Sequence, residues 1–294
     1  MTMPLTQVAM PDGRTVEVLV EGPPSRPVVL AYHGTPSTAT SWRDWAQPVL
    51  EAGMTLVAYT RPGYTNSSRN QGRRVGDAAA DSVAVLDALG IERVAALGYS
   101  GGCPHALSLA ALAPERCTRV VAVAGVVPYG AYGVDFLEGM GAENIAEFSA
   151  ALDWESPLRA WMAVAGMPML QAGADEIAEA FGDLVDDTDR AVLADGWAAD
   201  MAAEFHRVHD GGPDGWIYDD IAFTSPWGFE PAEVAVPVTL WHAERDRMAP
   251  ISHSRWMADA LPAADYREVA GLGHLALLRQ HRADIVASLR RLQD

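Results

Sequence analysis

The sequence predicts an α/β fold: a doubly wound, mostly parallel sheet interrupted once by a helical insertion. Three observations predict it. Short apolar runs without alternation recur along the chain, as strands buried on both faces require. Segments with helical spacing separate those runs, and strand–helix–strand repetition implies right-handed crossovers. The acidic residues crowd into one stretch, 128–230, where the strand–helix rhythm stops.

In order along the chain, the turn signal Pro11-Asp12-Gly13 precedes residues 15–20, which alternate like a half-buried strand. Apolar runs at 27–32, 55–59, 94–97 and 119–124 read as buried parallel strands. Residues 77–89 place Ala80, Val83, Ala84, Leu86 and Leu89 at helical intervals before Gly90, and 101–113 reads as a buried helix. The segment 128–230 carries helical windows at 176–184 and 190–205, and its one loop-dense cluster is 211–215. Strand-like runs return at 236–241 and 266–269, with helices expected at 252–261 and 280–292. The expected division is therefore a core of 1–127 and 231–294 around an inserted acidic helical segment, 128–230.

The 294 residues suffice for one large domain with an insertion; 49% are apolar and 20% charged, as in a globular enzyme. All 21 basic residues are arginine. Of the 39 acidic residues, 21 lie between 128 and 230 beside only Arg159, Arg190 and Arg207, so the net charge of −18 sits in that segment. Such a surface repels nucleic-acid phosphates and anionic membranes. No apolar stretch reaches the roughly 18 residues of a membrane span, and no leader signature opens the chain. Cys103 and Cys117 have neither disulfide-framework nor metal-ligand spacing and read as buried thiols. A cytoplasmic protein, monomer or homodimer, acting on a small molecule without metal or organic cofactor is expected.

Chemistry concentrates at strand ends. Gly98-Tyr99-Ser100-Gly101-Gly102 follows a predicted strand and opens a predicted helix, the context in which a serine sits exposed on a sharp turn. A serine hydroxyl needs a base, itself oriented by an acid. Asp246 follows the run 236–241, and Gly271-Leu272-Gly273-His274 follows the last run, giving the order Ser100, Asp246, His274. Glu244 is the rival acid and is expected to be solvated. His33 is expected to shape the loop after 27–32 and not to act as base, and the remaining histidines to lie in helices or at the surface. An oxyanion needs two N–H donors. Gly101 follows the nucleophile, and Thr35, before Pro36, lies in the His33-to-Pro36 loop.

Together, His33-Gly34-Thr35-Pro36, Arg61-Pro62-Gly63-Tyr64, Gly98-Tyr99-Ser100-Gly101-Gly102, Asp246 with Pro250, and Gly273-His274 resemble the α/β-hydrolase superfamily. The resemblance spans nearly the whole chain outside 128–230. It implies a mostly parallel twisted sheet flanked by helices, with 128–230 as a helical cap inserted after the sixth strand. Epoxide hydrolases and haloalkane dehalogenases use an aspartate nucleophile where this chain has Ser100, which turns the expectation away from both. Proline iminopeptidases carry a longer glycine-rich loop than 33–37, although their caps use carboxylates to hold a substrate's amino terminus.

The expected function is a serine hydrolase cleaving an ester or lactone of a small to medium apolar acyl group through an acyl-enzyme. Alternatives are a proline iminopeptidase-like aminopeptidase, a carbon–carbon bond hydrolase or acyl-transferring enzyme, and a non-catalytic small-molecule receptor. Tyr99 and Tyr64 are candidates to border the cleft. Trp154 and Trp161, with Met162, Met167 and Met169, are candidates to line it, against the alternative that they pack the insertion. The insertion's carboxylates are expected to form mainly a solvated face.

Overall fold

The computed structural model describes residues 5–290. Eight strands form one sheet in the order β1-β2-β4-β3-β5-β6-β7-β8. They are β1 (Thr6–Ala9), β2 (Thr15–Glu21), β3 (Val28–Tyr32), β4 (Thr55–Tyr59), β5 (Val94–Tyr99), β6 (Cys117–Val123), β7 (Val238–Ala243) and β8 (Ala264–Val269). β2 pairs antiparallel with both β1 and β4; β4, β3, β5, β6, β7 and β8 are parallel. All seven expected strands are present. Edge strand β1 was not anticipated, because four residues with a single buried position carry too little pattern.

Every residue of β3 and β4 is buried, which is why those runs do not alternate polar with apolar. Successive β3 side chains nevertheless point to opposite faces: Val28, Leu30 and Tyr32 join one core cluster, Val29 and Ala31 the other. The first cluster is covered by α2 (Asp77–Ala88) and α3 (Gly102–Leu112), and by α11 (Ile251–Ala260). On the other face lie α1 (Ala46–Glu51), α12 (His274–Gln280) and α13 (Arg282–Arg290). The helix expected over 280–292 is α13, whereas α12 was not anticipated, and residues 291–292 lie outside the described residues. Among the described residues no helix is long and apolar enough to cross a membrane. Cys103 and Cys117 are free and buried, and burial pushes the Cys117 thiol up to about 12.

Between β6 and β7 the chain leaves the sheet for α4 (Ala142–Leu152), α5 (Glu155–Trp161), α6 (Met167–Met169), α7 (Ile177–Ala180), α8 (Asp187–Val192), α9 (Ala198–Gly211) and α10 (Asp214–Thr224). These helices bury their own apolar cluster, including Leu158, Met162, Phe205, Val208 and Trp216. The expected helix at 190–205 is kinked, since Gly196 takes φ 96° inside it. Two residues of the core, Tyr64 and Leu275, complete the cluster. Docking is close at Gly63, where an added Cβ would lie 3.0 Å from the Gly215 backbone.

Candidate active site

β5 ends at Tyr99 and α3 begins at Gly102, so the chain reverses over two residues. Ser100 takes φ 52°, in the left-handed region that costs a residue with a Cβ of order 1 kcal/mol or more. The turn fits only because its neighbours are glycine. A Cβ on Gly98 would lie 2.6 Å from Cys103 Cα, and one on Gly102 would overlap the Tyr32 carbonyl oxygen. Ser100 N–H donates to Val123 O (2.8 Å), and Cys103 N–H donates back to Ser100 O (2.9 Å). The Ser100 hydroxyl bonds to no other described residue.

His274 is the first residue of α12, and its Nδ1 lies 2.6 Å from Asp246 Oδ2. Asp246 Oδ1 accepts the N–H groups of Met248 and Ala249, both at 2.9 Å. Burial opposes the Asp246 charge, but His274 and His242 hold the carboxyl far below the usual carboxylate range. An ionised Asp246 makes Nδ1 the protonated nitrogen of His274 and leaves Nε2 as the basic one. Burial lowers the His274 pKa, yet the Asp246 charge and hydrogen bond outweigh it and leave it raised. Tyr99 packs against this imidazole, with ring centroids 4.9 Å apart and planes tilted by 39°.

Two cavities meet at Ser100. The larger, about 370 Å³, reaches His274, Tyr99, Trp42 and Trp197. The smaller, about 170 Å³, reaches Gly101, Trp161, Phe148 and Phe223. Thr35, Pro36, Phe181 and Met248 line both. Neither the Thr35 nor the Gly101 N–H is engaged by an acceptor among the described residues, as donors reserved for an oxyanion would be. Gly101 is needed here, because a Cβ would overlap Thr35 Oγ1.

Arg61 holds the Thr35 loop. Its guanidinium donates to the carbonyl oxygens of His33 and Gly34, the latter at 2.9 Å, and to Thr35 Oγ1 at 3.0 Å. It is neutralised by Asp219 of α10, 2.5 Å away. Arg73 (2.5 Å), Tyr64 Oη (2.8 Å) and Thr35 Oγ1 (2.6 Å) converge on the same carboxylate. Burial raises the Asp219 pKa, but Arg61 and Arg73 override it and hold it well below the ordinary value. His33 accepts the Arg61 backbone N–H at Nε2 (3.0 Å) and is kept neutral by burial and by Arg61, a loop-shaping histidine.

Among the pocket candidates, Tyr99 and Trp161 line the cavities, as does Met169. Tyr64 does not: it is fully buried against His33, and its hydroxyl donates to Asp219. Trp154 does not either; it is 64% exposed and precedes α5 with φ 84°. Met162 is buried in the insertion's own cluster and Met167 packs against it. Glu244 is exposed and accepts the Gly271 N–H, leaving Asp246 as the acid at His274. His242 was expected in a helix or at the surface. It lies fully buried on β7, between Ser254 Oγ (2.6 Å) and Ala249 O (2.7 Å), and braces Asp246 from 3.3 Å.

The insertion's carboxylates divide. Asp175, Glu176, Asp195 and Asp210 are exposed, as expected. Glu147, Asp189, Asp219 and Asp220 are buried, and Glu204 ties α9 to the loop after β3. Its carboxylate accepts Thr38 N–H (2.6 Å), Thr38 Oγ1 (2.6 Å) and Thr40 Oγ1 (2.5 Å). Nothing in the local sequence separates these acids from the solvated ones, since the partners lie from 69 to 184 residues away.

A model of the α/β hydrolase fold family matches residues 27–163. The chain has the α/β-hydrolase fold. It is 29% identical over 278 residues to rhodomycin D methylesterase DnrP of Streptomyces peucetius, covering 88% of this chain and 89% of that one. It is 31% identical over 154 residues to epoxide hydrolase B of Mycobacterium tuberculosis. That match covers 51% of this chain, and the chain spans less than half (43%) of the epoxide hydrolase's length. The solved esterase of Exiguobacterium antarcticum superposes with a TM-score of 0.71 at 18% identity, covering 97% of both chains. The chain thus shares its architecture with proteins of more than one named activity.

Proposed function

We propose that this protein is a serine hydrolase that cleaves an ester or lactone through an acyl-enzyme, with 128–230 as its cap. The observation that carries the proposal is the Asp246–His274 pair at 2.6 Å, on the same cavity as a serine held at φ 52°. Ser100 Oγ attacks the acyl carbonyl while His274 Nε2 takes its proton and Asp246 holds the imidazolium. The Thr35 and Gly101 N–H groups receive the oxyanion. His274 then protonates the departing alkoxide, and water activated by the same nitrogen releases the acid and restores Ser100. The full-length likeness to a methylesterase supports this reading over the partial one to epoxide hydrolases. The substrate is a small molecule with the apolar acyl group in one of the two cavities, and the protein is a cytoplasmic monomer or homodimer.

The test is an activated ester such as p-nitrophenyl acetate at saturating substrate, with enzyme concentrated enough for its stoichiometry to be read. A burst of about one equivalent, with an acetyl mass increment on the peptide carrying Ser100, is expected; no burst with any acyl donor rejects the proposal. His274 must be neutral to accept the proton, so activity falls as pH falls. The midpoint of that acid limb is expected above the ordinary imidazole value of about 6.5. Asp246→Asn removes the group that raises it while burial remains. The limb is therefore expected to move down, with a loss of about 10³- to 10⁴-fold in kcat.

One observation favours a second reading, an aminopeptidase of the proline iminopeptidase type. Glu147 and Asp220 line the smaller cavity beside Gly101, with no basic residue among its lining. Apart from the carboxyl of Glu147, the Asp220 carboxylate has no hydrogen-bond partner among the described residues. Burial pushes Glu147 up to about 7, and burial together with Glu147 raises Asp220 well above its ordinary value. A cationic amine is the chemistry that would offset such a pair. Faster turnover of aminoacyl anilides than of neutral esters would select this reading.

A further inference from the structure

The loop that delivers His274 is tied on one side to the segment after β7, through Gly271 N–H to Glu244 and Arg245 N–H to Leu272 O, and on the other to the helical insertion. Gly273 N–H donates to Thr188 Oγ1 at 2.9 Å. Leu275 and Ala276 N–H donate to Asp189 Oδ1 at 2.9 and 2.8 Å. These are among the first N–H groups of α12, which have no acceptor within their own helix. Thr188 and Asp189 are themselves set by Asp186, whose Oδ1 accepts both of their backbone N–H groups and so starts α8. Asp189 is 1% exposed, and its second oxygen has no donor among the described residues. Gly273 is required beneath it, since a Cβ there would overlap that carboxylate.

We propose that Asp189, with Thr188, is a positioning residue for His274: the insertion caps α12 and sets the imidazole against Asp246 only while α8 is docked. The proposal rests on the reading of His274 as the base. A structural clip on any helix would satisfy the same N–H groups. What distinguishes this one is that α12 starts at the histidine itself, so the three bonds bracket His274 on both sides. The groups facing the ring are Asp246 from the loop after β7, Asp189 from α8 and Tyr99 from β5, with His242 acting through Asp246. Asp246 and Asp189 both favour the protonated ring, and Asp189 is the one that arrives with the insertion. Closure of the insertion and competence of the base become one event. A substrate that keeps α8 from docking would find no aligned imidazole.

The test follows His274 directly. The imidazole pKa and the Nδ1–H proton resonance are measured by NMR in wild type, Asp189→Ala and Asp189→Asn, alongside kcat and KM for an activated ester. Asp189→Asn keeps an acceptor oxygen and loses the charge, whereas Asp189→Ala loses both. The pKa is expected to fall in both variants. The Nδ1–H resonance is expected to broaden or vanish in Asp189→Ala alone, with kcat down about 10- to 100-fold and KM changed less than about threefold. Asparagine should restore most of kcat above the acid limb. A purely structural cap would lower the melting temperature and leave the His274 pKa in place, and that result would overturn the proposal. So would an unchanged kcat in Asp189→Ala. Should Asp189→Ala not fold, the pKa in Asp189→Asn decides alone. Absence of ester turnover in wild type would reject the hydrolase reading instead, and the NMR measurements would still decide this one.

Discussion

Replacing Ser100 by alanine is expected to reduce kcat for an activated ester by about 10⁴- to 10⁶-fold, down to what the oxyanion donors and binding supply. The burst and the acyl adduct should vanish with it. The expected stability change has the opposite character. Ser100 sits at φ 52° and its hydroxyl bonds to no described residue, so alanine removes no contact and keeps the strain. Ser100→Gly should be equally inactive and more stable by up to about 1 kcal/mol, because glycine reaches that conformation without a Cβ penalty. Inactivity with unchanged or improved stability marks a nucleophile on a strained turn. A serine that merely shaped the turn would give the reverse, and thermal melts alongside the kinetics separate the two.

Asp219→Ala should cause the largest loss of stability of any single change at the site. It leaves Arg61 and Arg73 as buried, unneutralised cations, a situation that costs about 3–5 kcal/mol. The melting temperature is expected to drop by roughly 10 °C, at the upper end of what such a loss produces in a chain of this size. Activity should fall as well, since Arg61 without its counter-ion no longer fixes the carbonyl groups of His33 and Gly34 or the Thr35 hydroxyl. The pH dependence has a defined sign. Asp219 is held below its unfolded pKa, so its contribution is present above about pH 4 and lost as the pH falls further. The variant should therefore lack that acid-dependent part of the stability curve. Equal melting temperatures for variant and wild type across pH 3–7 would contradict the assigned role.

Much of this site was legible because its key parts obey local rules. The serine turn is announced by an apolar run, two glycines and a helix within about 20 residues. The acid and the histidine each follow such a run, and parallel topology brings strand ends to one rim. Tyr64 and Trp154 were misplaced for a related reason: their identity suggested a cleft, while their burial was set by partners the chain meets only after folding. Tyr64 is claimed by Asp219, and Trp154 projects into solvent before α5.

The sequence by itself determined the seven main strands, the order Ser100–Asp246–His274, and the place where the sheet is interrupted. Each depends on periodicity or turn chemistry that neighbouring residues impose on the backbone. Only the tertiary structure decided which acids of the insertion are solvated and which are buried at work: Asp219 on Arg61, Glu204 on the Thr38 loop, Asp189 on the start of α12, and Glu147 with Asp220 beside the smaller cavity. An acidic side chain reads the same in any helical window, and the partner that fixes its charge, burial and role is supplied by a residue far away in the chain.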